Sequence, residues 1–321
     1  MIPDVSIALC VYNGERHLAE QLDSLLAQRD VAFEIVAIDD GSRDASLDIL
    51  RAYARRDARL RVVAGEANRG HAARVAEAFA LCRAPWIAPS DQDDIWDPIK
   101  LRRLLDRARE EDVDAVYCDS LLCDAAGQAT GRSVGAILGR RHGRTPMDLV
   151  FQNTVSGHAL LFRRPLLETA LPLPAGMYYD HWLAICAMAR GGLAHEPMPL
   201  VQFRRHDRAQ TCAGRPGRPP EGGRWFDATL SCLHGVAQVS HEAADDARSL
   251  ATAIAAFRAG GSGLAVVRTL WPYRRSLPRK SGLPAIDLLR FAHRLYRMRR
   301  REGRERRRML AAPSEPAPGH Q

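Results

Sequence analysis

The chain has 321 residues, 46% of them hydrophobic and 26% charged, so it can bury a full core and is not an intrinsically disordered polymer. A formal net charge of +8 suits an anionic partner, whether a phosphorylated ligand, an acidic lipid surface or a nucleic acid, without choosing among them. Seven scattered cysteines (Cys10, Cys82, Cys118, Cys123, Cys186, Cys212, Cys232) contain no C-x-x-C pair, which excludes a thioredoxin-type redox motif and favours buried thiols.

The chain begins with Val5–Val11, an unbroken small and apolar run expected of a strand covered on both faces. Tyr12-Asn13-Gly14-Glu15 breaks it, and Leu18, Leu22, Leu25 and Leu26 then recur at helical spacing. Phe33–Ile38 repeats the pattern, ends in Asp39-Asp40-Gly41-Ser42, and is followed by Leu47, Leu50 and Ala54 at helical spacing. A third strand covers Leu60–Ala64. Asn68-Arg69-Gly70 then opens a helix over Ala72–Cys82, and Trp86–Ala88 forms a fourth strand. Such β-α alternation predicts an α/β fold, a mostly parallel sheet with helices on both faces that collects its ligand at the carboxyl ends of the strands. Tyr12-Asn13, Asp39-Asp40, Asn68-Arg69 and Asp91-Gln92-Asp93 all fall just past strand ends, on that side. No G-x-G-x-x-G follows the first strand and no P-loop occurs anywhere, so neither of those phosphate cradles is present.

Ser90-Asp91-Gln92-Asp93-Asp94-Ile95-Trp96 packs three carboxylates into four residues, a cluster that resists full ionisation unless a cation sits among them or each is well hydrated. On an extended segment Asp91 and Asp93 point the same way and could share one divalent ion. Hard oxygen ligands favour Mg²⁺ or Mn²⁺ over zinc. The plain alternative is an acidic loop in which Asp94 caps the helix starting near Pro98, and Asp39-Asp40-Gly41-Ser42 can likewise be an ordinary turn.

Further on, Leu101, Leu104, Leu105 and Ala108 mark a helix, Ala115–Cys118 a strand, Ala159–Phe162 another, and Met177–Met188 a helix that opens on Tyr179-Asp180-His181-Trp182. Gly127–Gly143, rich in Gly and Arg, reads as a mobile loop: a flap bringing Arg132, Arg140 and Arg141 to phosphates, or an inert insertion. The expected organisation is a catalytic domain over residues 1–214, a Pro/Gly-rich linker over 215–225, a helical appendage over 226–310 and a disordered tail over 311–321. Within the appendage, Phe226–Phe257 reads as helix with a break near Gly235. On Pro284–Arg301, Leu288, Phe291, Leu295 and Met298 share one helical face and Arg290, Arg294, Arg297 and Arg301 another. That makes a basic amphipathic helix, able to pack on the domain or to lie on an anionic membrane. No leader or membrane-spanning stretch is apparent, so the expected location is the cytoplasm, with possible peripheral contact at the inner face of the cell membrane.

Taken together, Val5–Glu15, Glu34–Ser42, the Asn68-x-Gly70 turn and Ser90–Trp96 resemble the family-2 glycosyltransferases of the GT-A fold, in particular a bacterial rhamnosyltransferase-like branch, over roughly residues 1–215. The resemblance implies an inverting, metal-dependent transfer of a sugar from a nucleotide donor, dTDP-rhamnose or a UDP-sugar, to a glycan or lipid-linked hydroxyl in cell-surface polysaccharide synthesis. It implies nucleotide contacts from Tyr12, Asn13, Glu15, Asp39, Asp40, Asn68 and Asp91, metal ligation by Asp91, Asp93 and His206, and a phosphate clamp from Arg204 or Arg205. Asp180 takes the place of the general base that a sugar hydroxyl needs to become nucleophilic, and Gly157, His181 and Trp182 line the acceptor side. Cys10 and Arg74 depart from the threonine and asparagine frequent at their positions, and His158 stays outside the catalytic set. A sugar-nucleotide nucleotidyltransferase would need a glycine- and lysine-bearing phosphate loop where Tyr12-Asn13-Gly14-Glu15 stands. A non-catalytic basic protein binding nucleic acid would need an aromatic-interleaved basic patch, which is lacking, so no nucleic-acid partner is expected.

Overall fold

The computed structural model describes residues 2–138, 145–174, 176–205, 223–277 and 283–311. Three β-α repeats and a fourth strand open the chain: β1 (Val5–Val11), α1 (Leu18–Leu26), β2 (Phe33–Asp39), α2 (Ser46–Arg56), β3 (Leu60–Ala64), α3 (His71–Leu81) and β4 (Trp86–Ser90). β1 lies parallel to β2 and to β4, and β2 parallel to β3. Every residue of β2 and β4 is buried, which is why these strands read as continuous apolar runs. Beyond β4 come β5 (Ile95–Trp96), α4 (Lys100–Glu110), β6 (Ala115–Cys123), β7 (Ala129–Ser133), α5 (Val134–Leu138), β8 (Leu160–Arg163), α6 (Leu167–Ala170), α7 (Tyr179–Arg190) and β9 (Leu193–Arg204).

The sheet runs β3-β2-β1-β4-β8-β6-β9-β5, with β7 paired to β6. Its first half is parallel and its second mixed: β8 is antiparallel to β4 and β6, β9 is parallel to β6, and β5 is antiparallel to β9. Strand and helix positions match the sequence reading through β4 and again at α4, whereas β5 between them has no counterpart in it, and later segments differ as follows. Residues 129–138 of the expected mobile loop form β7 and α5, with Gly135 N–H bonded to Asp119 Oδ1 at 2.8 Å, while 139–144 lie outside the described residues. β9, twelve residues long, starts at Leu193. It tolerates Pro197 and Pro199 because its register against β6 shifts between Cys118 and Ser120.

The C-terminal helices are α8 (Gly223–Val239), α9 (Ala244–Arg258), α10 (Gly263–Leu270) and α11 (Pro284–Ala311). α8 already contains the last residues of the expected linker, whose remainder, like the tail after Ala311, lies outside the described residues. Gly235 does not break α8. Its missing Cβ makes room for the Trp182 ring, whose Cη2 would stand only 2.5 Å from such an atom; the break falls at residues 240–243. One face of the sheet packs on α1 and α4 through Leu18, Leu22, Leu101 and Leu105. The opposite face carries a single apolar cluster that runs from Val36 and Phe162 through Leu183 of α7 to Phe226, Leu250 and Leu295. Among the described residues no helix is long and apolar enough to cross a membrane, and the six described cysteines are free thiols.

Candidate active site

The polar residues past β1, β2 and β4 meet at the carboxyl edge of the sheet and hold one another in place. Asn13, in a left-handed conformation (φ 49°), donates its N–H to Ser42 Oγ (3.0 Å), and its Oδ1 accepts from Arg43 N–H (2.8 Å). Glu15 Oε2 accepts from Ala45 N–H (3.0 Å). Gln92 clamps the end of β1 by accepting from Tyr12 N–H and donating to Tyr12 O, leaving the Tyr12 side chain exposed. Asn68 is exposed on the same rim.

Asp39 and Asp40 have different tasks. Asp40 accepts from Arg74 Nε (2.6 Å), Arg69 N–H (2.7 Å) and Gly70 N–H (3.0 Å), so its carboxylate secures the turn into α3. Burial pushes its pKa up, but the Arg74 hydrogen bond and the two backbone donors outweigh that and hold it below the usual carboxylate value. Arg74 is there to satisfy Asp40. Asp39 is 1% exposed; its Oδ2 accepts from Ser42 N–H (2.9 Å), while Oδ1 has no hydrogen-bond partner. A buried carboxylate oxygen without a donor is costly, and it marks a place where a ligand N–H or O–H fits.

The acidic motif does not continue as a strand. β4 ends at Ser90 and the backbone bends at 92–93, so the alternation that would align Asp91 with Asp93 does not apply. Asp91 instead faces Asp94 and His158: His158 Nδ1 stands 3.6 Å from an oxygen of each, and the three ligand atoms lie within 4.8 Å of one another. Asp94 is no helix cap, since Asp97 accepts from Ile99 N–H ahead of α4. Its side chain is fully buried, Oδ1 accepts from Arg204 N–H (3.2 Å), and Oδ2 has no hydrogen-bond partner. Burial, then the charges of Asp91 and Asp93, push its pKa well up. For Asp91 the same burial is outweighed by His158, His71 and Lys100, and its pKa falls below the usual value.

His158 is fixed from behind by Ser120 Oγ (3.0 Å from Nε2) and by stacking on Phe203 at 4.6 Å. A tautomer that gives its Nε2 proton to Ser120 leaves Nδ1 bare toward the carboxylates, the form a metal requires. Lys100, fully buried, donates to His158 O (2.5 Å), lies 3.0 Å from the centre of the Trp96 ring, and has its pKa pushed down to about 7 by burial. Arg204 is unavailable as a phosphate clamp because it is spent on the loop, donating to Asp93 O (3.0 Å), Ala125 O (3.1 Å) and Glu20 Oε2 (2.5 Å). His206 lies outside the described residues.

Asp180 approaches from the other side, on the first turn of α7. Its Oδ1 accepts from Asn153 Nδ2 (3.0 Å) and its own turn's His181 N–H (2.6 Å), and Oδ2 from Gly157 N–H (3.0 Å). Burial raises its pKa to about 6, against those donors and with a further push from the Asp91 charge. Tyr179, whose pKa burial raises well above its normal value, senses both Asp91 and Asp180, and its ring lies 5.7 Å from that of His71. Gly157 is required here by close approach: a Cβ would stand 1.9 Å from Tyr179 Oη. His181 Nε2 is engaged by Leu149 O at 2.6 Å. Trp182 is core, 3% exposed, with Nε1 donating to Ala170 O. Of the residues the structure brings to this edge, Asp94 was legible as part of the acidic cluster, whereas His158, Lys100 and Tyr179 were not singled out by the sequence.

A mixed sheet with this edge, covered by helices on both faces, is the GT-A architecture. S. aureus TarS (residues 1–349, solved in complex with UDP-GlcNAc) superimposes over 95% of this chain and 92% of that one with a TM-score of 0.63, at 15% identity. Residues 6–170 match the family model "Glycosyl transferase family 2", and the chain belongs to that family. It is 37% identical over 118 residues to the uncharacterized glycosyltransferase EpsJ of Bacillus subtilis (37% of this chain, 34% of EpsJ). It is 33% identical over 191 residues to the succinoglycan biosynthesis protein ExoU of Rhizobium meliloti (57% of this chain, 54% of ExoU). The chain thus spans about a third of the one and little more than half of the other.

Proposed function

We propose that the chain transfers a sugar from a nucleoside-diphosphate donor, a UDP-sugar or dTDP-rhamnose, to a hydroxyl of a glycan or lipid-linked acceptor in cell-surface polysaccharide synthesis, on the cytoplasmic side. The observation that carries this reading is the pairing, across one strand edge, of the Asp91–Asp94–His158 cluster with the raised-pKa carboxylate of Asp180. The unpartnered oxygens of Asp39 and Asp94 add to it: the first suits an imide N–H of uracil or thymine, the second a cation. TarS, solved with UDP-GlcNAc, and ExoU, a succinoglycan biosynthesis protein, point to the same donor and product classes.

The cluster fits a divalent ion, with two hard carboxylate oxygens and an imidazole nitrogen around an otherwise unsatisfied buried oxygen; Asp91, Asp94 and His158 would hold Mg²⁺ or Mn²⁺, with Asp93 close by. Such an ion, when bound, supplies positive charge to a departing diphosphate. Asp180 is the base. Three donors fix its carboxylate, and its pKa leaves it ionised at neutral pH yet basic enough to take the acceptor hydroxyl's proton as that oxygen attacks. One carboxylate opposite the leaving group gives direct displacement and inversion.

Melting curves with UDP, dTDP or GDP, each with and without Mn²⁺, test the reading, since a ligand of the folded state raises the melting temperature by mass action. Stabilisation by UDP or dTDP that needs Mn²⁺ and disappears in Asp91→Asn is expected; no response to any of the three would overturn it.

A further inference from the structure

α11 has two faces with unlike roles. Inward, Leu288, Phe291 and Leu295 are buried, and Phe291 meets the rings of Phe151 and Trp225 edge-on. Glu302 binds Arg258, which also reaches Asp227, and Arg299 donates to the carbonyls of Phe257 and Gly261. Those contacts fix the helix completely from one side.

Its other side has no part in that packing. Ile286, Leu289 and Tyr296 are 40%, 65% and 43% exposed, and Leu283, just ahead of the helix, is 57% exposed. At 3.6 residues per turn, 286, 289, 293, 296 and 300 form one strip along the helix. Arg290, Arg297, Arg300, Arg304 and Arg307 are exposed on or beside that strip. The helix's acidic residues neutralise it only in part: Asp287, itself buried, lies 3.8 Å from Arg290, Glu302 is buried against Arg258, and Glu305 is bridged to Arg301, which leaves Arg297, Arg300, Arg304 and Arg307 as the excess charge. An apolar strip at one end that grades into an arginine-rich one is complementary to the boundary between acyl chains and anionic headgroups. A nucleic-acid backbone would match the arginines but leave Ile286 and Leu289 in water.

We propose that the outward face of α11 docks the protein on an anionic lipid surface, with Ile286, Leu289 and Tyr296 entering the headgroup layer and the arginines meeting lipid phosphates. The contact is peripheral and independent of what the strand-edge site does.

Sedimentation of the full chain with vesicles, in the absence of nucleotide and metal, tests it, so its outcome and that of the glycosyltransferase reading are separable. Capture by vesicles of phosphatidylcholine mixed with phosphatidylglycerol, weakened by salt, and little capture by phosphatidylcholine alone are expected. Each surface arginine contributes about fivefold to partition, so R290Q/R297Q/R300Q/R304Q together lose on the order of several hundredfold. I286S/L289S, at exposed positions, removes the binding that survives high salt. Melting temperatures equal to the parent show that both variants are folded. Equal capture by the parent and R290Q/R297Q/R300Q/R304Q, no capture by either vesicle, or arginine-dependent binding to duplex DNA without vesicle capture overturns the proposal.

Discussion

Replacing Asp180 with asparagine keeps the shape of the side chain and removes its capacity to take a proton. With a pKa of about 6, Asp180 is about 90% ionised at pH 7, and transfer catalysed by it should rise as pH climbs through about 6 and then level off. Loss of a positioned base costs about 10²- to 10⁴-fold in kcat, or roughly 3–5 kcal/mol of transition-state stabilisation. Two effects on folding oppose each other. Because the folded-state pKa is raised above the ordinary carboxylate value of 3.8, the native state binds the extra proton between 3.8 and about 6, and stability falls as pH rises through that window. Asparagine abolishes that loss, at most about 3 kcal/mol and less for a half-buried group. Its Nδ2 must instead face a donor, the Gly157 N–H or those of Asn153 and His181, costing about 1–3 kcal/mol. The melting temperature should therefore stay within a few degrees of the parent at neutral pH while transfer collapses and nucleotide affinity is retained. Initial rates against pH, titration calorimetry with the nucleotide, and melting curves measure all three. An Asp180→Asn variant that keeps the parent's acid limb in its rate profile, or one that loses nucleotide affinity, refutes the assignment.

Gly157→Ala should destabilise the fold by about 1–3 kcal/mol in urea unfolding, because the new Cβ meets Tyr179 Oη at 1.9 Å. Adding Tyr179→Phe should recover only part, since Cζ would still be at 2.6 Å. Arg74→Met leaves Asp40 in a pocket built for an ion pair and should cost about 3–5 kcal/mol at pH 7. The depressed Asp40 pKa means that the parent's pair contributes above the ordinary carboxylate value and is lost as pH falls through the lower folded one, so acid titration of stability should flatten in the variant. Asp94→Asn and His158→Gln should each weaken Mn²⁺ binding by tenfold or more in calorimetry, and Asp93→Asn by less; the reverse order would restore the extended-strand geometry for the motif.

β1, β2 and β4 were legible because a strand buried on both faces must be written almost entirely in apolar letters, and α1 to α4 because their buried residues recur every three or four positions. β5 is only two residues long, and the first half of β9 carries His195, Glu196 and Pro197, so neither shows a strand pattern. α10 comes directly after Gly260-Gly261-Ser262, a stretch that reads as loop, and Ser262 then caps it. In the site, Asp91 stood out because a carboxylate cluster at a strand end is visible locally, whereas Asp180, which at a helix start reads as an ordinary cap, was singled out by the family resemblance alone. His158 reaches Asp91 and Asp94 only through the β4–β8 and β6–β8 pairings, and Arg74 reaches Asp40 only once α3 folds back over β2. Such contacts are written in topology, and a single sequence carries topology only where resemblance supplies it.

The apolar cluster that joins the sheet to the C-terminal helices sets a limit on how the protein can be cut. Leu183 and Cys186 of α7, the helix that starts beside Asp180, share it with Leu233 and Val236 of α8. Residues 1–214 expressed without α8 to α11 would leave that side of α7 wet, beneath the carboxylate whose placement it determines. Such a fragment should be recovered in inclusion bodies, and a minimal active enzyme should have to retain α8.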